Sequence, residues 1–280
     1  MLNFLIIVVT LLVANTATAF ELDELWTVDG FKEPESATID LERNVIYVSN
    51  VNGYALDDNG FISRVSMNGK VVDHAWITGI NSPTGTAITN NRLYFADVDS
   101  LVVVDINNAT ILSRIPAPDA AASPSLNDVA ISPEGTVYVS GSRSRKIYIM
   151  VNNELQVWKH DPVRLKNANG LLVQENALIH GGQTWSVFSR STGKLLEGAH
   201  SPSQLTNFDG IMHDGKGHLV TTTIDDPRLW LITPNVTRPI SEQQLNGIDM
   251  DVKSGYLALP RVGGKLSLFM INQTHSKPAH

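Results

Sequence analysis

Four residues set far apart in the chain have types that could share a metal ion. Glu35, Asn127, Asn169 and Asp209 each stand at the head of the same phrase, a polar anchor that leads into an apolar strand. Two carboxylates and two amide carbonyls make an all-oxygen donor set, which suits Ca²⁺ or Mg²⁺ and not Zn²⁺ or copper. Calcium is favoured, because a wide, partly hydrated ring rarely supplies the tight octahedron that Mg²⁺ demands. Asn, Asp and Gly are also ordinary turn residues. Glu35 fits that plainer explanation worst, since it is not a turn former and a lone carboxylate withdrawn from bulk water needs a cation partner. The 280 residues contain no cysteine, so thiol catalysis, thiolate zinc sites and disulfides are excluded.

The elements that must position these anchors come from an internal repeat. The anchor phrase occurs six times, at Glu35, Gly85, Asn127, Asn169, Asp209 and Asn246, with a period near that of a four-stranded propeller blade. After each anchor comes an apolar strand, a polar or glycine-containing turn, and a second strand rich in Val, Ile, Tyr and Leu. Third strands are legible at Phe61–Val65, Leu101–Val104, Lys146–Met150, Leu229–Ile232 and Leu266–Met270. The pattern predicts an all-β, six-bladed β-propeller over 20–280, with no helix of consequence. A β-sandwich has no reason to restart one phrase six times. The last blade lacks a fourth strand, and residues near Leu22 to Val28 are a spare one. Pairing the two closes the ring and removes an exposed edge.

In such a ring the first strands line the central channel, and the loops after the second strands rim the face where the anchors lie. That reasoning puts Asn50, Asp97, Arg143, Gln183, Trp185 and Arg261 around the pocket as candidate substrate contacts. The two arginines could receive an anionic group and Trp185 could stack on a ring. Asp57-Asp58-Asn59-Gly60 lacks the spacing and terminal Glu of a calcium loop and reads as a hairpin turn. No nucleophile-elbow motif occurs, which leaves Ser-His-Asp catalysis without support.

The N-terminus carries an apolar run, Phe4 to Ala14, followed by Ala17-Thr18-Ala19. This predicts a signal peptide cleaved after Ala19 and a secreted or periplasmic product. The run is too short to span a bilayer. A formal net charge of −7 disfavours nucleic acid and anionic membrane surfaces, so a small molecule is the expected partner.

At Pro34-Glu35-Ser36-Ala37, Leu126-Asn127-Asp128-Val129-Ala130, Asn169-Gly170-Leu171 and Phe208-Asp209-Gly210-Ile211 the sequence resembles the senescence marker protein, gluconolactonase and luciferin-regenerating-enzyme family. The resemblance implies one divalent cation, usually calcium, on the propeller axis, held by Glu35, Asn127, Asn169 and Asp209. It also implies hydrolysis of a lactone or ester, with the metal polarising the carbonyl and Asp209 serving as nucleophile or general base. Sugar-lactonase members carry an Arg two residues before the third-blade Asn. Here that residue is Ser125, which points away from a sugar-acid lactone. The rival expectation is a non-catalytic propeller that binds a ligand or protein on one face. A metal-free propeller of the strictosidine-synthase or NHL-repeat kind gives no account of Glu35 and Asp209 meeting on one axis.

Overall fold

A computed structural model describes residues 18–199 and 201–275. The expected leader, residues 1–19, lies outside them but for its last two. Six antiparallel sheets follow one another along the chain. Blade 1 comprises Pro34–Asp40, Val45–Asn50, Gly60–Ser66 and Val71–Ile80. Blade 2 comprises Pro83–Thr89, Arg92–Asp97, Ser100–Asp105 and Thr110–Pro116. Blade 3 comprises Leu126–Ile131, Val137–Gly141, Lys146–Val151 and Glu154–His160. Among the described residues, blade 4 has only Leu171–Val173, Ala177–His180 and Ser186–Ser189. Blade 5 has Phe208–His213, Leu219–Thr223, Trp230–Ile232 and Thr237–Pro239. Blade 6 takes Asp251–Lys253, Tyr256–Arg261 and Lys265–His275 from the C-terminus and Thr18–Asp29 from the N-terminus. Among the described residues, the only helical turn is the short one at Ala120–Ala122.

The strands are apolar on both faces because every blade is packed on both sides. Successive side chains point to opposite faces of a strand. Ile46 and Val48 accordingly pack against blade 6 while Tyr47 packs against blade 2. In blade 2, Leu93 and Phe95 face blade 1, and Tyr94 and Ala96 face blade 3. Each of the six blade-to-blade interfaces holds its own apolar cluster. A fully buried side chain of this size contributes about 1.5–3 kcal/mol relative to leaving it exposed. The poorest cluster, Leu205, Phe208 and Trp230 with Trp185 against them, lies between blades 4 and 5. Blade 4 is the one lacking an outer strand among the described residues, and a cleft of about 380 Å³ runs between these two blades.

Ring closure takes the expected form. Leu22 pairs with Ile271 and Val28 with Leu266, so the N-terminal strand covers the outer edge of the C-terminal hairpin.

Candidate axial site

The register of the innermost strands decides which residues share the ring around the axis. Pro34, Pro83, Leu126 and Phe208 each pair with the end of their second strand, and a bulge follows immediately in all four blades. Glu35, Thr84, Asn127 and Asp209 therefore occupy one equivalent position. The amide of Asn169 donates to the Gly181 carbonyl, and the pairing of Leu171 with His180 puts Asn169 there too. In blade 6, Gly247 pairs with Arg261 and Asp251 with Ala258, so the ring residue is Ile248. The anchors expected at Gly85 and Asn246 are thus corrected to Thr84 and Ile248. Asn246-Gly247 has the look of Asn169-Gly170, but Ile248-Asp249 is the true counterpart of Asn127-Asp128.

The position after the ring residue seals the blades to one another. It is held by Ser36, Gly85, Asp128, Gly170, Gly210 and Asp249. A Cβ at Gly85 would strike the Asp128 side chain and backbone, and one at Gly170 would strike the Asp209 carbonyl. One at Gly210 would meet Asp249 Oδ1 at 2.9 Å. Where the residue is Asp, its oxygens serve the seam. Asp128 Oδ2 accepts from the Leu171 amide of blade 4 at 2.6 Å, and Asp249 Oδ2 accepts from Ser36 Oγ of blade 1 at 2.6 Å. Ser36 Oγ in turn accepts from the Thr86 amide of blade 2. The Asp249 amide donates to the Glu35 carbonyl.

Against this seam the ring side chains are left with unused oxygens. Glu35 Oε2, Asn127 Oδ1 and Asp209 Oδ1 are all buried and accept no hydrogen bond. The Asn169 side-chain amide donates to the Asp209 carboxylate. Burial, then the charges of Asp209, Asp249 and Asp128, hold the Glu35 carboxyl well above its ordinary range. Asp209 is pushed up to about 7 by burial and by Asp249. Asp128 is pushed up to about 7 chiefly by burial, against the amides it accepts from. An unpaired buried carboxylate is costly, and a divalent cation reverses that cost by supplying the largest local charge. The orphaned oxygens therefore fit such an ion. No group of three or more His, Asp or Glu among the described residues is arranged as a metal centre. Asp128 and Asp249 spend oxygens on the seam.

The expected pocket walls divide into two groups. Arg143 lines a cavity of about 260 Å³ with Asn127, Ser125, Tyr54 and Leu56. Gln183 is half-buried and its Oε1 is without a partner. The others are engaged elsewhere. Asn50 is fully buried, with Oδ1 accepting from the Lys32 amide and Nδ2 donating to the Val48 carbonyl and Ser63 Oγ. Asp97, at the equivalent place in blade 2, accepts from the Asn81 and Ser82 amides. Both hold the entry to their own blade. Arg261 donates to the Leu245 carbonyl and Ser267 Oγ. Trp185 packs edge-on to Phe208, 5.2 Å between centroids, and lines the cleft between blades 4 and 5. The sequence reading missed Tyr54, which lines the cavity beside Asn127 and Arg143. The extra length of the first repeat was the signal that could have found it.

Comparison of the sequence with protein-family models and with curated proteins gives no match. Solved structures do match. A proposed gluconolactonase aligns with a TM-score of 0.66 at 14% identity, covering 93% of this chain and 94% of that one. The fold is the six-bladed propeller of that protein. Virginiamycin B lyase from Staphylococcus aureus aligns with a TM-score of 0.63 at 10% identity, over 90% of this chain and 99% of its own. A streptogramin B lyase gives 0.64 at 13%, over 92% and 99%. At such identities the likeness carries the fold and leaves the chemistry to the residues of the site.

Proposed function

We propose that the chain is a calcium-dependent hydrolase of the lactonase type, exported by way of residues 1–19, with Glu35, Asn127, Asn169 and Asp209 holding the ion. The observation that carries this reading is the set of three buried, unbonded oxygens on Glu35, Asn127 and Asp209, in a ring whose carboxylates have no cationic partner among the described residues. The cation, when bound, supplies Lewis acidity toward a carbonyl oxygen. Asp209, with one oxygen held by Asn169, is the base. It takes a proton from water while the water oxygen bonds to the carbonyl carbon. The lactone or ester C–O bond then breaks and the proton passes to the departing alkoxide. Asn169 fixes the orientation of that carboxylate, and the seam of Asp128 and Asp249 keeps the ring residues at their stations.

Calcium titration by calorimetry on the wild type, Glu35→Gln and Asp209→Asn tests the proposal. One ion per chain, bound more weakly by both variants, is the expected result. Asp209→Asn should also lose about 10²–10⁴ in lactone hydrolysis at saturating calcium. A wild type that binds no divalent cation would overturn the hydrolase reading in favour of a surface-binding propeller.

A further inference from the structure

The cavity of about 260 Å³ beside Asn127 has one wall that the repeat does not explain. Between the second and third strands, blade 2 runs from Asp97 to Ser100 and blade 6 from Arg261 to Lys265, but blade 1 runs from Asn50 to Gly60. This insertion is tied down on two sides. Ser82, just before blade 2 and 1% exposed, accepts from the Ala55 amide at 3.1 Å and has its Oγ 2.7 Å from the Gly53 carbonyl. Glu33 accepts from the Gly53 amide at 2.7 Å. So anchored, the loop presents Tyr54 and Leu56, 76% and 64% exposed, along the cavity that Asn127 and Arg143 also line. Val98 and Leu126 add apolar surface to the same cavity.

Arg143 is the cation of this lining, and its neighbours leave its charge unanswered. Its Nη1 reaches the Ser123 carbonyl at 3.5 Å, and among the described residues no carboxylate lies within ion-pair distance of it. Arg43, Arg64, Arg114, Arg164, Arg190 and Arg228 all have acidic partners. Val163, Ile224 and Val262, on loops of the same face, are the only other large apolar side chains more than three-fifths exposed among the described residues. An unpaired guanidinium beside apolar surface fits a ligand with an anionic end and a hydrocarbon body.

We propose that this cavity beside Asn127 takes a small amphiphilic anion, with its carboxylate on Arg143 and its hydrocarbon part against Tyr54 and Leu56. For the scissile bond this rests on the hydrolase reading, so that the substrate becomes a lactone or ester carrying a carboxylate on an aliphatic chain. The subsite itself does not depend on turnover. Its probe is octanoate binding to the calcium-loaded protein by calorimetry, beside 1-octanol, for the wild type, Arg143→Met and Leu56→Ser. Arg143→Met should weaken octanoate about tenfold and leave octanol unchanged, while Leu56→Ser should weaken both. Octanoate that fails to bind the wild type, or that binds Arg143→Met equally well, would overturn the proposal. The second outcome would put the carboxylate on the calcium ion. A protein that binds octanoate as expected but hydrolyses neither a γ-alkyl lactone nor its ω-carboxy analogue would keep the subsite and lose the hydrolase.

Discussion

His180 is a fully buried titratable side chain that does not belong to the axial ring. It lies in the second strand of blade 4, fully buried, on the same face as Leu178 toward blade 3, and neither ring nitrogen has a partner. Burial, opposed only by Asp161, pushes its pKa down to about 3. The folded protein therefore keeps the imidazole neutral through a range in which the unfolded chain, with a pKa near 6.5, binds a proton. Stability associated with this group is present above about pH 6.5 and is lost as pH falls toward 3, by about 1.4 kcal/mol per pH unit. Urea unfolding at pH 7 and pH 4.5 should show the wild type losing about 2–3 kcal/mol more than His180→Leu between the two conditions. Equal losses in both proteins would mean that the imidazole is protonated in the native state. The ring carboxylates have the opposite sign, since their raised pKa values favour the neutral acid in the fold, and it is this conflict with neutral pH that a bound cation resolves.

Among the elements, the inner strands matter most, because a displacement of any one moves a ring residue. Gly170 shows how little room they have. A methyl group there would run into the Asp209 carbonyl and come within 3.2 Å of Ile211 Cγ1. Gly170→Ala should force blade 4 away from blade 5, cost about 1–3 kcal/mol in urea unfolding, and weaken calcium binding although no ligand is altered. A destabilised variant with unchanged calcium affinity would show that the ring tolerates movement of Asn169 relative to Asp209. The strands themselves were legible in the sequence because burial on both faces writes each one as an apolar run, and the turns between them keep their Asn and Gly. The register was legible only in part. Glu35, Asn127, Asn169 and Asp209 fell correctly into one ring position, whereas Thr84 and Ile248 are neither turn formers nor ligands and were passed over for Gly85 and Asn246. Matching Gly85 to Gly170 and Gly210 would have located Thr84, since these three glycines answer to one packing constraint. Asn50 and Asp97 looked like pocket walls because they end their strands at the right face. Their side chains turn back to satisfy loop amides, and nothing in residue type distinguishes that use from substrate binding.

At the scale of the whole molecule, a ring of six blades is only as firm as its last junction. The strand Thr18–Asp29 supplies it, setting Phe20 into the cluster between blades 5 and 6 and reaching blade 1 through Trp26, whose Nε1 donates to the Met67 carbonyl at 2.9 Å. Without that strand, Lys265–His275 would become an open edge, with its unpaired amides and carbonyls free to template association. The same junction bears on the site, because Asp249 of blade 6 grips Ser36 Oγ with its side chain and the Glu35 carbonyl with its amide. Deleting residues 1–29 should therefore do three things together: lower the urea midpoint, promote association at micromolar concentration seen by light scattering, and weaken calcium binding through loss of Glu35 positioning. The joint outcome is what distinguishes closure from ordinary packing. A deletion variant that is less stable but monomeric, and that binds calcium as tightly as the full chain, would mean that blade 6 holds its place by the seam alone. A variant that loses calcium affinity and solubility in step, while Glu35→Gln loses affinity only, would assign to the N-terminal strand both the integrity of the ring and the geometry of its metal ligands.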